Sequence, residues 1–308
     1  MTETKEYLKN AACIINPGAA QNKWSRRKRL KRILERGLPG QQFDVLTTKE
    51  SMIELVRKIS PAFSTIIALG GDGTIADVLQ GIREAGREKD VLLGIVPLGS
   101  GNAFRKSLDI PKNVRRALRV IHEGEPRLVS LMEIEGRISG FSSIGATGGV
   151  SDERLRQKVQ GFWGHVLAGL GQLTQPLWDV EVELEDGLDE KGARFERKTM
   201  KLKIFDCVVA KSNYFGYSFR IAPRASLEDE YLDITFFEMS GWKYVLLLPL
   251  TYFGLSQRRL KNFKAKRLVI KGKELPVQYH GEYLGKRNRV EVKVVPQAIR
   301  VIAPRREG

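Results

Sequence analysis

Two glycine-rich turns carry the residue types best suited to chemistry in this chain. Gly70-Gly71-Asp72-Gly73-Thr74 follows the β-branched run Thr65–Leu69 and opens directly into a helical pattern at Ile75. Pro97-Leu98-Gly99-Ser100-Gly101-Asn102 follows the apolar run Val91–Val96 and opens into a shorter one. Glycines allow close backbone approach and turn N–H groups inward, and a following helix N-terminus adds partial positive charge, a combination suited to phosphate. A bare carboxylate at Asp72 would repel phosphate, and a Mg²⁺ ion between them removes the conflict. The bland alternative is a pair of ordinary βα turns with Asp72 as an N-cap. No G-x-G-x-x-G follows the first strand and no G-x-x-x-x-G-K-[ST] occurs anywhere, so the dinucleotide fingerprint and the Walker A loop are both absent.

The elements that must position these turns alternate in type. Ala11–Asn16 reads as a strand, Leu30, Ile33 and Leu34 as a helix, Phe43–Leu46 as a strand and Met52–Ile59 as a helix stopped by Pro61. Thr65–Leu69 and Val91–Val96 are too apolar to alternate, as expected of parallel strands covered on both faces. Each precedes apolar residues at helical spacing, Ile75, Val78, Leu79 and Ile82 after the first, and Val114, Ala117, Leu118 and Ile121 after the second. The order βαβαβαβα implies an α/β, doubly wound parallel sheet whose ligands bind beyond the strands' C-terminal ends.

Near Pro126 the texture becomes short alternating runs: 201–208, Phe219–Ala222, Tyr231–Phe237, Arg267–Lys271, Val277–Tyr279, Val290–Val295 and Ala298–Ala303. These predict an antiparallel β-sandwich. The expected fold class is thus α/β plus β, with an α/β domain over 1–126 and a sandwich over 127–308 whose last strand packs back on the first domain. Asp152–Leu177 and Gly241–Arg259 lack strand alternation and read as helices, and Leu184–Arg197 is charged enough to read as a mobile loop.

With 308 residues, 42% of them hydrophobic, the chain can bury a substantial core, which excludes a disordered or disulfide-stapled class. Cys13 and Cys207 lie far apart in apolar runs and read as reduced core thiols of a cytoplasmic protein, and the polar start MTETKEYLKN shows no export signal. A net charge of +16 favours a polyanionic partner such as a nucleotide, nucleic acid or an anionic membrane face. The longest apolar run, Tyr244–Leu255, is far shorter than the roughly 20 residues of a membrane span. The basic stretch 258–267 just after it makes this the better membrane-contact segment. Arg26–Arg32 reads first as a solvated helix face, then as membrane contact, and last as a nucleic-acid contact, since no aromatic stacking motif accompanies it. Oligomeric state is not readable, and a homo-oligomer stays open.

In order along the chain, Asn16-Pro17, GGDGT with Asp77 and Gly81, PLGSGNAF with Leu108-Asp109-Ile110-Pro111, Ile221-Ala222-Pro223-Arg224-Ala225, 229–234 and 277–282 resemble the signature of the diacylglycerol kinase catalytic family. The resemblance implies an ATP-dependent kinase that phosphorylates a lipid hydroxyl, with ATP and Mg²⁺ bound in the crevice between an α/β and a β-sandwich domain, acting peripherally at a membrane. By position it implies that Asn16, Gly70, Gly71, Asp72, Gly73, Thr74, Gly99, Ser100, Gly101, Asn102 and Glu282 hold the nucleotide. Asp72 and Asp229 would be metal ligands and Asp72, His280 and Glu282 catalytic groups, with Arg105 and Lys106 neutralising phosphate charge. His280 stands where the family has the Asp usually assigned as general base, Glu230 replaces a glycine and Ala76 an Asn. His280 is then either a substitute base, since neutral imidazole accepts a proton near pH 7, or the mark of a catalytically impaired nucleotide- or lipid-binding relative.

Overall fold

The computed structural model describes residues 6–15, 28–38, 42–45, 51–99, 103–150, 174–214, 220–255 and 260–306. The chain divides into two compact units, Met1–Ser130 with Gln297–Gly308, and Leu131–Pro296.

The first unit is built from strands β1 (Ala11–Ile15), β2 (Gln42–Val45), β3 (Thr65–Gly70) and β4 (Leu92–Pro97) with helices α1 (Lys28–Gly37), α2 (Met52–Ile59), α3 (Asp72–Glu84), α4 (Ala103–Ser107) and α5 (Val114–Glu123). β1 pairs in parallel with both β2 and β3, and β3 in parallel with β4. The end of the last strand, β13 (Glu282–Ala303), adds in parallel to β4 through Arg300 and Val301. Every residue of β1, β3 and β4 is buried, which is why none of them alternates in sequence. Leu34 of α1 and Leu38 just after it, with Leu118 and Ile121 of α5, join Ile67, Leu69 and Val96 in one core, which among the described residues takes none from α2 or α3. α2 and α3 instead pack on each other, Val56 against Gly81, where any side chain on Gly81 would strike Val56 Cβ at 2.6 Å. Because β2 and β3 flank β1 on opposite sides, strand order reverses there, and the β1 and β3 C-terminal ends define the crevice where ligands of such sheets bind.

The second unit holds the end of β5 (Glu125–Ile134), then β6 (Arg137–Ser139), β7 (Phe141–Gly145), β8 (Trp178–Leu188), β9 (Arg194–Ile204), β10 (Asp206–Ala210), β11 (Leu232–Phe237), β12 (Lys261–Tyr279) and most of β13. Helix α6 (Gly241–Tyr252) packs within this unit, and residues 146–150 after β7 are also helical. Pairings within the unit are antiparallel and enclose a core of Val180, Val182, Leu184, Ile204, Val209, Phe236, Ile270 and Val292, among others, in keeping with the expected β-sandwich.

Several expectations are corrected. The charged segment 184–197 is not a loop but the facing ends of the β8–β9 hairpin. Val180, Val182 and Leu184 point inward, while Glu183 and Glu185 lie outward on Arg197, at 2.5 and 3.1 Å, so high charge here marks the solvated face of a strand. Residues 267–271 and 277–279 belong to one strand with register shifts, β12, and 290–295 and 298–303 to another, β13. Ile221 and Ala222 are buried outside any strand. β7 went unseen because its sequence, FSSIG, hides a fully buried strand behind two serines. Of the helix expected at 152–177, residues 174–177 are not helical and the rest lie outside the described residues.

Gly145 of β7 has φ +126°, and a Cβ there would lie 2.7 Å from the Phe205 carbonyl oxygen and 3.0 Å from Asp206 Cα. Gly145→Ala is therefore expected to destabilise the chain by about 2–4 kcal/mol in urea denaturation, and an unchanged midpoint would refute this account of the β7–β10 pairing.

Candidate functional site

The two glycine turns form one structure. Gly70 C=O accepts the N–H groups of Leu98 and Gly99, at 2.8 and 3.3 Å, and a Cβ on Gly71 would come 3.2 Å from Gly99 Cα. Asp72 then closes the pair: its Oδ2 accepts from the Ala103 N–H at 2.9 Å and its Oδ1 from the Phe104 N–H at 3.1 Å. Asp72 therefore caps a helix, as the bland alternative expected, but the helix is α4 of the other turn rather than its own. The N-terminus of α3, at Gly71, has no side-chain cap. Its first N–H groups, which no intrahelical carbonyl can reach, are left facing the crevice end of β3 with partial positive charge. The Asp72 carboxyl is raised by burial, against which the Ala103 and Phe104 N–H groups and the charges of Lys106 and Arg105 pull down. Lys106 in turn is lowered, chiefly by desolvation and then by Arg105, with Asp72 opposing. Arg105 turns Nη1 onto Ile110 C=O at 2.5 Å, which holds the loop after α4. Asn16, Ser100, Gly101 and Asn102 lie outside the described residues.

In the second unit, Tyr279 of β12 pairs with Glu282 of β13, so His280 and Gly281 alone make the turn, with φ of +46° and +87°. Such a hairpin requires left-handed backbone at both central residues, which Asp, Asn and His tolerate far better than most, so His280 satisfies the same conformational demand as an aspartate. The turn is fastened by Gln278, whose Oε1 accepts the Gly281 N–H at 2.7 Å and whose Nε2 donates to Ser143 Oγ at 3.0 Å. The imidazole folds inward, edge-on to Phe141 at 4.9 Å, and its Nε2 accepts the Gly140 N–H at 3.1 Å. That bond places the ring proton on Nδ1, which is buried and has no partner among the described residues. Burial pushes the imidazole down to about 4. In this arrangement His280 is a neutral ring whose one basic nitrogen is engaged by the Gly140 N–H. Glu282 is exposed and accepts from the Tyr279 hydroxyl at 3.3 Å.

Asp229 is corrected as a metal ligand. Its Oδ1 accepts from Lys211 Nζ at 2.6 Å and its Oδ2 from Lys264 Nζ at 2.7 Å, so two ammonium ions occupy the places a divalent cation would need. Lys211 has 0% of its side chain exposed, and its other donors reach the carbonyls of Asp229 and Tyr231 at 2.7 and 2.8 Å. Burial lowers Lys211, against the pull of Asp229. Sequence reading missed this lysine, although a cation closing the buried run of β10 is a signal that it must find a carboxylate partner. It also missed Asp206, a fully buried carboxyl that burial raises to about 7, held by the Thr147 hydroxyl while Oδ1 has no hydrogen-bond partner among the described residues. Among the described residues no group of three His, Cys, Asp or Glu is arranged to hold a metal. Such a donor set fits a Mg²⁺ ion carried chiefly by nucleotide phosphates and water rather than by a cluster of protein carboxylates.

A family model of the diacylglycerol kinase catalytic domain matches residues 10–134, and one of the YegS C-terminal NAD kinase beta sandwich-like domain matches 182–303. The chain is 23% identical over 288 residues to a diacylglycerol kinase of Staphylococcus carnosus (strain TM300), with 90% of each chain covered. It is 26% identical over 228 residues to a diacylglycerol kinase of Bacillus subtilis (strain 168), with 72% of each covered. A crystal structure of a diacylglycerol kinase from Bacillus anthracis str. Sterne superposes with a TM-score of 0.73 at 18% identity, covering 96% of both chains, which is a likeness of fold.

Two outcomes test the second unit. Lys211→Met leaves the Asp229 carboxylate half-buried with one partner fewer and is expected to lower unfolding free energy by about 3–5 kcal/mol; a variant as stable as the native chain would refute a structural role for the pair. For His280, depression from 6.5 to about 4 means that the unfolded chain takes up the proton first on acidification. Its contribution is intact above about pH 6.5 and fades as pH falls toward 4, by up to about 3 kcal/mol. His280→Asn, which keeps the left-handed turn, should flatten that part of the thermal-midpoint profile, and an unaltered profile would place the titration elsewhere.

Proposed function

Because the chain belongs to the diacylglycerol kinase catalytic-domain family, we propose that it is an ATP-dependent lipid kinase that transfers the γ-phosphate to the hydroxyl of a diacylglycerol- or sphingoid-like lipid. The observation that carries this reading is the clasped pair of glycine turns with the α3 N-terminus left uncapped at the strand-order reversal. There the N–H groups of 71–74 would hold the nucleotide phosphates, Gly70 and Gly71 allow the backbone to approach them, and Lys106 adds positive charge near Asp72. Mg²⁺ bound with the nucleotide would supply charge neutralisation on the transferring group. Asp72 acts chiefly by fixing one turn against the other, because both of its oxygens are engaged on α4. Glu282, exposed beside the Tyr279 hydroxyl, is the carboxylate free to receive the lipid hydroxyl's proton, and His280 keeps the turn in shape. No helix among the described residues is long and apolar enough to cross a membrane.

A second reading is favoured by the His280 ring, whose engaged Nε2 and lowered basicity argue for a relative that binds nucleotide without transferring phosphate.

Transfer of labelled γ-phosphate from Mg-ATP to a total lipid extract separates the two. For the kinase, the native chain labels a lipid, Asp72→Asn and Glu282→Gln each reduce labelling by about 100-fold, and His280→Asn stays within about threefold of native. Label that appears only with His280→Asp would establish the binding relative, and the absence of label from every form would overturn the kinase reading.

A further inference from the structure

Apart from Lys243 near its start, helix α6 carries large apolar side chains on both its inner and its outer face, a pattern that in a globular chain marks an element covered on both. Its inner face is accounted for: Tyr244, Leu247 and Leu250 pack with Val208, Ile221, Phe237 and Leu260. Tyr244 lies between the rings of Phe205 and Phe237, with centroids at 5.2 and 4.9 Å. The opposite face carries Trp242, Val245, Leu246 and Pro249, continued past the helix by Phe253 and Leu255, and all of these are exposed, Leu246 to 79% and Phe253 to 66%. So many large apolar side chains grouped on one helix face exceed the single ones normal on a monomer's surface.

Charge selects the occupant. From Gly241 to Leu260 the sequence contains no Asp or Glu. Lys243 is exposed beside Trp242 at one end of the helix. At the other end the Arg220 N–H donates to Thr251 C=O at 3.1 Å, with its guanidinium over the Tyr214 ring at 5.7 Å. The exposed Arg224 follows in the same loop. An apolar strip with a tryptophan near one end, cations at both and no acid is the composition of a helix that lies in the headgroup layer of an anionic bilayer. A second copy of the chain would bring the same cations against these, which disfavours self-association through this face.

We propose that the outer face of α6 docks on an anionic phospholipid bilayer, with Trp242, Leu246 and Phe253 entering the headgroup and acyl boundary and the exposed Lys243 and Arg224 contacting lipid phosphates. The proposal rests on the lipid-kinase reading for its purpose and names the surface through which the second unit meets its substrate's membrane.

Sedimentation of the full chain, without nucleotide, with vesicles of phosphatidylcholine and phosphatidylglycerol, tests this independently of phosphoryl transfer. The native chain should bind these vesicles and bind pure phosphatidylcholine vesicles less. Leu246→Glu and Phe253→Glu should each weaken binding by about tenfold or more with unchanged thermal midpoints, since both side chains are exposed. Lys243→Glu, a change of two charge units, should weaken binding to the anionic vesicles by about tenfold and to neutral ones little. Fluorescence lost in native but not in Trp242→Phe chains on adding brominated lipid would place that residue in the bilayer. The proposal falls if native chain ignores both vesicle types, if the Glu variants bind like native, or if those variants convert a native dimer to monomer, which would make the occupant a second copy. Vesicle binding without lipid phosphorylation would overturn the kinase reading and leave the docking surface standing.

Discussion

The Asp72 carboxylate is the interaction on which the nucleotide-binding half of this architecture depends. Two loops that follow adjacent parallel strands are flexible where they are richest in glycine, and conformational freedom opposes any fixed phosphate cradle. A single side chain that accepts one N–H from Ala103 and another from Phe104 converts two loops into one rigid unit. The same two bonds satisfy the N-terminus of α4 and keep the carboxylate's charge directed away from α3, whose own N-terminus has no side-chain cap. The apparent conflict of a carboxylate in a phosphate site is thereby resolved by direction, with the negative charge matched to one helix dipole and the other left for a ligand. The glycines serve this closeness, since any Cβ on Gly70 or Gly71 would collide with Thr74 or crowd Gly99.

The second unit uses a different device, polar side chains buried where strands end. Gly140 illustrates it: its N–H donates to His280, and its carbonyl accepts from Lys211 and Ser212, at 2.8 and 2.9 Å. Gln278 and Ser143 continue the network beneath the turn. Such groups cost free energy unless paired, and once paired they hold a unique arrangement. The same logic removes Asp229 from any metal site. A carboxylate already flanked by two ammonium groups is neutralised, and its function is to anchor the segment between Lys211 and Tyr231.

Charge also has two meanings along this chain. On β8, β9 and β12 it lies on the outward face in cross-strand pairs such as Arg267 with Glu185 and Glu291, at 2.9 and 2.8 Å. From Gly241 to Leu260 it is unmixed, cations without an Asp or Glu beside exposed apolar side chains. The mixed pattern solvates a strand, whereas the unmixed one creates a field that only an anionic partner relieves.

The sequence by itself determined the alternation of β and α elements in the first unit and the two glycine turns, because buried parallel strands and amphipathic helices leave periodic signatures that local context cannot erase. Only the tertiary structure decided where side chains send their lone pairs and protons: that Asp72 reaches across to α4, that His280 gives Nε2 to Gly140, and that Asp229 belongs to Lys211 and Lys264. These partners lie 31, 140, 18 and 35 residues away along the chain. A hydrogen bond depends on distance and angle in space, and no pattern read within a window of neighbouring residues contains either. The long β12 and β13 strands and the hairpin at 184–197 were hidden for the same reason, since their continuity comes from pairing with distant strands and not from local propensity.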